Sequence, residues 1–219
     1  MPNPPRRIRS LIVVLAAVLT GTALTPMQPA AAQQPPATEV VVAQGAMWSY
    51  LDDGTDPGPN WAAPGFDDAN WATGNGQFGY GDGDETTIVD YGPDPDHKHP
   101  TTYFRKTITI ADAHQLTDVA AELTYDDGAA VYLNGIEIHN TGNLPPGFGH
   151  LSWADADAEA TIEFSIDPTL LLNGDNTLAV EIHQAWRRSS DISFDLSLTA
   201  TRHVLPGPPA AWLESPGDQ

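Results

Sequence analysis

Two segments near the C-terminal end alternate apolar and polar residues with a period of two, and this pattern constrains the fold more than any other feature. In 177–184, Leu178, Val180 and Ile182 fall on one side, with Thr177, Glu181 and His183 on the other. In 191–200, Ile192, Phe194, Leu196 and Leu198 alternate with Asp191, Ser193, Asp195, Ser197 and Thr199. A period of two sends successive side chains to opposite faces of a strand, so both segments read as half-buried β-strands. Segment 103–110 repeats the pattern, with Phe104, Ile108 and Ile110 against Tyr103, Arg105, Thr107 and Thr109. Further strands are expected at 39–43, 47–51, 118–125, 129–133, 136–140 and 160–166. Asn134-Gly135, set between Val131-Tyr132-Leu133 and Ile136-Glu137-Ile138, predicts a type I′ hairpin turn, in which both central residues take positive φ. Asn173-Gly174-Asp175-Asn176 predicts a second turn, and Pro168 precedes one expected helical turn at Leu170–Leu172. No stretch sustains a 3.6-residue period. The chain is therefore expected to be all-β, a jelly-roll sandwich of about eight or nine antiparallel strands.

The two ends have a different character. Arg6, Arg7 and Arg9 precede an apolar run from Leu11 to Leu24, and Ala30-Ala31-Ala32 follows. That order predicts a secretory signal peptide over 1–32, because the run is shorter than the roughly 20 residues a membrane span needs. Residues 33–44 are expected to form a flexible leader, and the sandwich itself is expected over 45–202. Pro206, Pro208, Pro209 and Pro216 mark 203–219 as a Pro-rich tail or a truncated linker.

Charge narrows the partners. The 219 residues include 9 Lys+Arg and 29 Asp+Glu. Cleavage after residue 32 would remove Arg6, Arg7 and Arg9, leaving 6 basic against 29 acidic residues, a net charge of −23. Such a chain lacks the basic patch that nucleic acid requires and is repelled by anionic membranes. Its surface also repels copies of itself, so a monomer is expected. With no Cys, disulfides, thiolate metal sites and thiol nucleophiles are excluded together.

Seven phrases in order carry a resemblance. They are Trp48-Ser49-Tyr50-Leu51-Asp52-Asp53-Gly54, Phe66-Asp67-Asp68-Ala69-Asn70-Trp71 after Trp61, Phe78-Gly79-Tyr80-Gly81-Asp82-Gly83-Asp84, and Thr102-Tyr103-Phe104-Arg105. Then come Asp126-Asp127-Gly128-Ala129-Ala130-Val131-Tyr132-Leu133-Asn134-Gly135, the run from Asn176 to Gln184, and Ser190-Asp191-Ile192-Ser193-Phe194-Asp195-Leu196. Over about residues 45–200 the chain resembles the galactose-binding-like β-sandwich modules of secreted bacterial proteins, of the subtype often found N-terminal to calcineurin-like metallophosphoesterase domains. The resemblance implies a jelly roll that usually acts as a non-catalytic module. Some such modules bind sugars and many hold a structural Ca²⁺.

Several groups of residues are candidate sites. Asp82, Asp84 and Glu85 lie in a Gly-rich loop, where alternating carboxylates suit the irregular oxygen shell of Ca²⁺. Asp94, Asp96, His97 and His99 share a Pro-broken loop, which reads as solvated charge or, alternatively, as transition-metal ligands. Asp127, Glu181, His183, Gln184, Trp186 and Arg187 are expected to gather at one rim as a sugar site. There Trp186 would stack on the ring, the carboxylates would accept hydroxyl protons and Arg187 would donate. The competing reading of the same residues is a structural polar network. Trp153–Glu159 alternates carboxylates with alanines as an exposed edge strand would. No Gly-x-Ser-x-Gly, His-Glu-x-x-His or phosphate-loop pattern occurs, and the metallophosphoesterase motifs are missing. The expected function is a secreted, non-catalytic accessory module that binds carbohydrate or tethers a secreted hydrolase domain, with structural Ca²⁺. Two alternatives are the packing module of an orphaned metallophosphoesterase and a small jelly-roll glycosidase or lyase.

Overall fold

The computed structural model describes residues 35–203. The expected signal peptide and nearly all of the Pro-rich tail lie outside them. Twelve strands occur in order: β1 (Ala37–Val42), β2 (Met47–Leu51), β3 (Ala72–Asn75), β4 (Phe78–Tyr80), β5 (Thr87–Ile88), β6 (Thr101–Ile110), β7 (Leu116–Asp126), β8 (Gly128–Leu133), β9 (Ile136–Asn140), β10 (Ala160–Ile166), β11 (Gly174–His183) and β12 (Ile192–Arg202). Among the described residues the only helical pieces are 3₁₀ turns at Ala113–Gln115 and Pro168–Leu170. Asp167 closes the second turn by accepting the Thr169 amide, and it starts two residues before the turn expected at Leu170–Leu172.

The strands form two six-stranded sheets. The first runs β10-β7-β12-β4-β5, and β1 shares the β4 side of β12 by pairing with its C-terminal half. The second runs β3-β2-β6-β11-β8-β9. Every pairing is antiparallel except β4 with β5. The fold is thus an all-β sandwich, as the alternation predicts, with three short strands (β3, β4 and β5) beyond those legible in the sequence. The Asn134-Gly135 hairpin joins β8 to β9, and both residues take positive φ, 54° and 83°.

The inward faces form one core. Leu178, Val180 and Ile182 of β11 meet Ile192, Phe194, Leu196 and Leu198 of β12, all buried. Trp48, Phe78, Phe104 and Phe194 interlock in the middle, with Phe104 and Phe194 rings 4.1 Å apart and Trp48 edge-on to Phe194 at 5.3 Å. The outward face of the second sheet is also largely covered. Tyr103 and Arg105 of β6 and Glu181 and His183 of β11 point away from the core yet are buried beneath loops 52–71 and 141–159.

Two points differ from expectation. The 33–44 segment is not uniformly free: the strand expected at 39–43 forms within it as β1, residues 37–42, and pairs with β12 from Ala37↔Arg202 to Val42↔Leu198. Segment 153–159 is loop rather than edge strand, and its Ala154 is buried against Gly128. Asp126-Asp127 carries the chain from β7 in the first sheet to β8 in the second. Gly128 is needed there for space, since a Cβ would lie 2.8 Å from Leu144 Cδ2 and 2.9 Å from Ala154 Cβ.

Candidate functional site

Neighbouring strands of the second sheet place three polar aromatic or acidic groups on its outward face. Glu181 of β11 lies opposite Tyr103 of β6. On the other side Ala179 lies opposite Tyr132 of β8, two residues along from Glu181 and on the same face. Cross-strand and diagonal neighbours of this kind are within side-chain reach. The Tyr132 hydroxyl donates to Glu181 Oε1 at 2.6 Å. Burial, reinforced by the Glu181 charge, pushes the Tyr132 phenol well above its usual pKa, and burial does the same to Tyr103. Ala179 leaves room for Trp61, which packs edge-on against Tyr103 at 4.7 Å and Tyr132 at 5.5 Å.

Loops complete an open cleft of about 550 Å³ over this floor. Loop 52–71 supplies Asp56, Pro59 and Trp61, loop 141–159 supplies Phe148 and His150, and β9 supplies Glu137. Arg105 fixes the first wall. Its Nε donates to Asp68 Oδ2 at 3.1 Å, and its terminal nitrogens reach the carbonyls of Trp61 and Ala63. His150 fixes the second by accepting from the Tyr103 hydroxyl at 3.3 Å and donating Nε2–H to Gly54 O at 3.1 Å. Aromatic faces beside carboxylate acceptors match what a pyranose presents, an apolar ring face and a rim of hydroxyls. A second cleft of about 500 Å³, lined by Ala113, Leu116, Pro168, Leu171 and Leu172, has His114 as its one titratable group. It offers far less to a polar ligand.

The six residues expected to form a sugar site do not converge. Glu181 lines the cleft. His183 lies beneath loop 141–159, fully buried, with Nδ1 2.9 Å from Ser152 O and 3.1 Å from Thr101 Oγ1. Thr101 gives its own proton to His150 O, so both neighbours of Nδ1 are acceptors and Nδ1 carries the proton. His183 Nε2 is 3.1 Å from Glu181 Oε2 but off the line of a hydrogen bond. Gln184 is buried, donating to the Tyr80 hydroxyl. Asp127 is buried and accepts from two main-chain amides and one hydroxyl: Oδ1 from Ala158 N at 3.2 Å, and Oδ2 from Ala185 N at 2.6 Å and Ser189 Oγ at 3.3 Å. These three positions therefore follow the structural-network reading. Trp186 and Arg187 lie on the exposed 185–190 loop, where Arg187 faces His97 at 3.3 Å. Trp61, Tyr103, Tyr132 and Phe148 were the functional candidates the sequence reading passed over. Their signal was aromatic residues at outward strand positions and in Gly/Pro-rich loops.

No protein-family model matches the sequence, and no curated protein matches it significantly. Solved structures do match. The chain is similar to Bacteroides uniformis β-glucuronidase, at 19% identity over 76% of this chain and 18% of that one, with a TM-score of 0.51. A calcium-binding mutant of Bacteroides uniformis β-glucuronidase 2 matches over the same shares, at 19% identity and a TM-score of 0.50. The similarity is one of fold. The chain spans less than a fifth of the length of these enzymes. The β-sandwich part of the resemblance is met, and its tie to metallophosphoesterases finds no support in these relatives.

Among the described residues two carboxylate groups have metal-like spacing, each with one oxygen per residue within 4.8 Å of the others. In the Asp82, Asp84 and Glu85 loop each carboxylate already accepts at least one hydrogen bond. Glu85 accepts the Asp82 and Gly83 amides at 2.9 and 3.0 Å, Asp82 accepts from Ser193 and Asp84 from Gln77. Hydrogen bonds from its own amide and those of Asp82 and Gly83 hold the Glu85 carboxyl below the usual range. The second group is Asp126, Asp127 and Asp157. Asp94 to His99 instead makes local pairs, His97 Nδ1 with Asp94 at 2.8 Å and Asp96 with Arg188 at 2.9 Å.

Proposed function

We propose that this protein is an exported, non-catalytic carbohydrate-binding sandwich, with its ligand in the cleft floored by Tyr103, Tyr132 and Glu181. The observation that carries the reading is the arrangement on the outward face of the second sheet: Trp61 and Phe148 offer apolar surface, and Glu181, Glu137 and Asp56 offer acceptors in one opening. The relatives support it from the side of fold, since the matching sandwich belongs to glycosidases and is a small part of each. That proportion also favours a role as tether for a secreted hydrolase. Export is inferred from Arg6, Arg7 and Arg9, the apolar run and the three alanines.

The test is retention on a panel of immobilised polysaccharides. Glu137→Gln, at an exposed position, is expected to lose retention while keeping the wild-type melting temperature. Phe148→Ala, which removes a ring that also packs on Leu144 and Ala154, is expected to lose retention with a modest fall in melting temperature but the native circular-dichroism spectrum. Trp186→Ala is expected to retain it. The opposite pattern assigns the ligand to the 185–190 loop. No retention on any glycan overturns the carbohydrate reading, and release of soluble product overturns the non-catalytic one.

A further inference from the structure

At the end of β7 three loops meet over an acidic group that the sugar-binding reading does not use. Asp126 ends β7 and is 3% exposed, Asp127 follows it, and Asp157 comes from loop 141–159 at the surface. One oxygen from each lies within 4.8 Å of the others. Two buried carboxylates in sequence normally persist only when their oxygens are satisfied. Asp127 meets that condition through three donors on two neighbouring loops. Asp126 does not. Its Oδ2 is sealed from solvent and has no hydrogen-bond partner among the described residues. The charges that weigh most on Asp126 are those of Asp127, Asp191 and Asp157, all acidic. An unpartnered inner oxygen and an exposed outer carboxylate in one acidic pocket have the form of an oxygen-donor site for a hard cation.

We propose that Asp126, Asp127 and Asp157 bind one Ca²⁺, which ties the β7–β8 crossing to loop 141–159. The donor set is all oxygen, which selects a hard cation over the transition metals. Two of the ligands stand on loops, and such a frame suits the variable shell and longer bonds of Ca²⁺ better than the strict octahedron of Mg²⁺. Asp157 gives the ion its way in from solvent. The site is separate from the Asp82–Glu85 loop, which holds no buried carboxylate oxygen without a partner among the described residues.

The purified protein is titrated with Ca²⁺ in a calorimeter and melted in Ca²⁺ and in EDTA. One equivalent is expected to bind, and the melting temperature is expected to rise with Ca²⁺ by mass action. Asp157→Asn, at an exposed position, is expected to weaken binding by about tenfold or more, since carboxylate count sets the affinity of such sites. Asp126→Asn is expected to abolish binding, because an amide cannot supply the anionic oxygen that the ion needs at the buried end of the site. Asp84→Asn is expected to bind as the wild type does. Absence of binding to the wild type, binding unchanged in both Asp126→Asn and Asp157→Asn, or loss confined to Asp84→Asn each overturns the proposal. Should Asp126→Asn fail to fold, Asp157→Asn decides alone.

Discussion

Arg105→Met tests whether the cleft is a built feature of the fold. Arg105 is 3% exposed and points away from the core, and loop 52–71 supplies the acceptors for its guanidinium. The guanidinium donates to Asp68 at 3.1 Å, to Ala63 O at 3.4 Å and to Trp61 O, and it lies 5.1 Å from the Phe66 ring centre. Replacing a buried ion pair by an apolar side chain of similar length is often nearly neutral, because the desolvation of the charges is recovered. Here the acceptors left behind include main-chain carbonyls, which no side-chain change can remove. An unsatisfied buried carbonyl costs about 1–3 kcal/mol, and Trp61 O bears the full term. Ala63 O is half-buried, and the Asp68 side chain is 32% exposed, so water takes over part of both losses. The net expectation is a loss of about 2–4 kcal/mol. At about 2–4 °C per kcal/mol for a domain of this size, the melting temperature falls by about 5–15 °C. Chemical denaturation followed by tryptophan fluorescence measures the loss, and limited proteolysis should cut loop 52–71 faster. Arg105→Lys should fall between, because an ammonium cannot span two carbonyls and a carboxylate as a planar fork does. A stability loss below about 1 kcal/mol with unchanged proteolysis would refute the view that Arg105 anchors the wall.

Two further predictions concern the frame. A Cβ at Gly79 would stand inside the van der Waals radius of the Ile192 carbonyl oxygen, on the β12 backbone rather than a movable side chain. Gly79→Ala is therefore expected to prevent native folding or to lower stability by several kcal/mol, and a circular-dichroism melt matching the wild type would contradict that. His139 stacks on Phe164 at 4.0 Å, its Nε2 lacks a partner among the described residues, and burial depresses its pKa. The unfolded chain thus takes up the proton first, at about pH 6.5, so this contribution is complete above that pH and is lost as pH falls towards the lower folded value. Between about pH 7.5 and 5.5 the wild type should lose more stability than His139→Phe, measured as denaturation midpoints. Equal losses would show that His139 is not the group responsible.

Most of the frame was legible because alternation reports directly on burial. Ile192, Phe194, Leu196 and Leu198 alternate in the sequence, and all four are buried in the core. The short strands lack that signal for separate reasons. Phe78-Gly79-Tyr80 is buried at every position, since β4 is covered on both faces, so no alternation develops. Residues 37–42 read partly as leader and, from residue 39 on, as a strand. They become a strand because β12 offers an edge beyond β4. The cleft was half legible. Glu181 reads as outward from period two alone, but polar residues at outward positions ordinarily face water. Here Arg105, Glu181 and His183 are sealed by loops whose anchors, such as the Arg105 contacts and Ser152 O to His183, join residues tens of positions apart. Such closures follow from β6 lying beside β11, which no local window contains.

Loop 141–159 belongs to both proposed sites, and this links them physically. Asp157 brings it to the acidic group at the end of β7, while Phe148 and His150 form a wall of the cleft. The segment between is held at several points: Ala154 N to Gln184 O at 2.8 Å, Asp155 N to Asn143 O at 2.7 Å, and Ser152 O to His183. Without a cation, the Asp157 carboxylate stands beside Asp127 and Asp191, and their like charges favour an outward position for Asp157, the exposed member. A bound cation reverses the sign of that force and draws Asp157 inward, holding the chain that carries Phe148. Ordering the wall in advance removes part of the entropy a glycan must otherwise supply on binding. Such coupling is reciprocal: whatever factor Ca²⁺ adds to glycan affinity, the glycan adds to Ca²⁺ affinity. Asp157→Asn should therefore weaken glycan retention at saturating Ca²⁺ although it touches no residue of the cleft, whereas Phe148→Ala should leave calcium affinity without glycan unchanged.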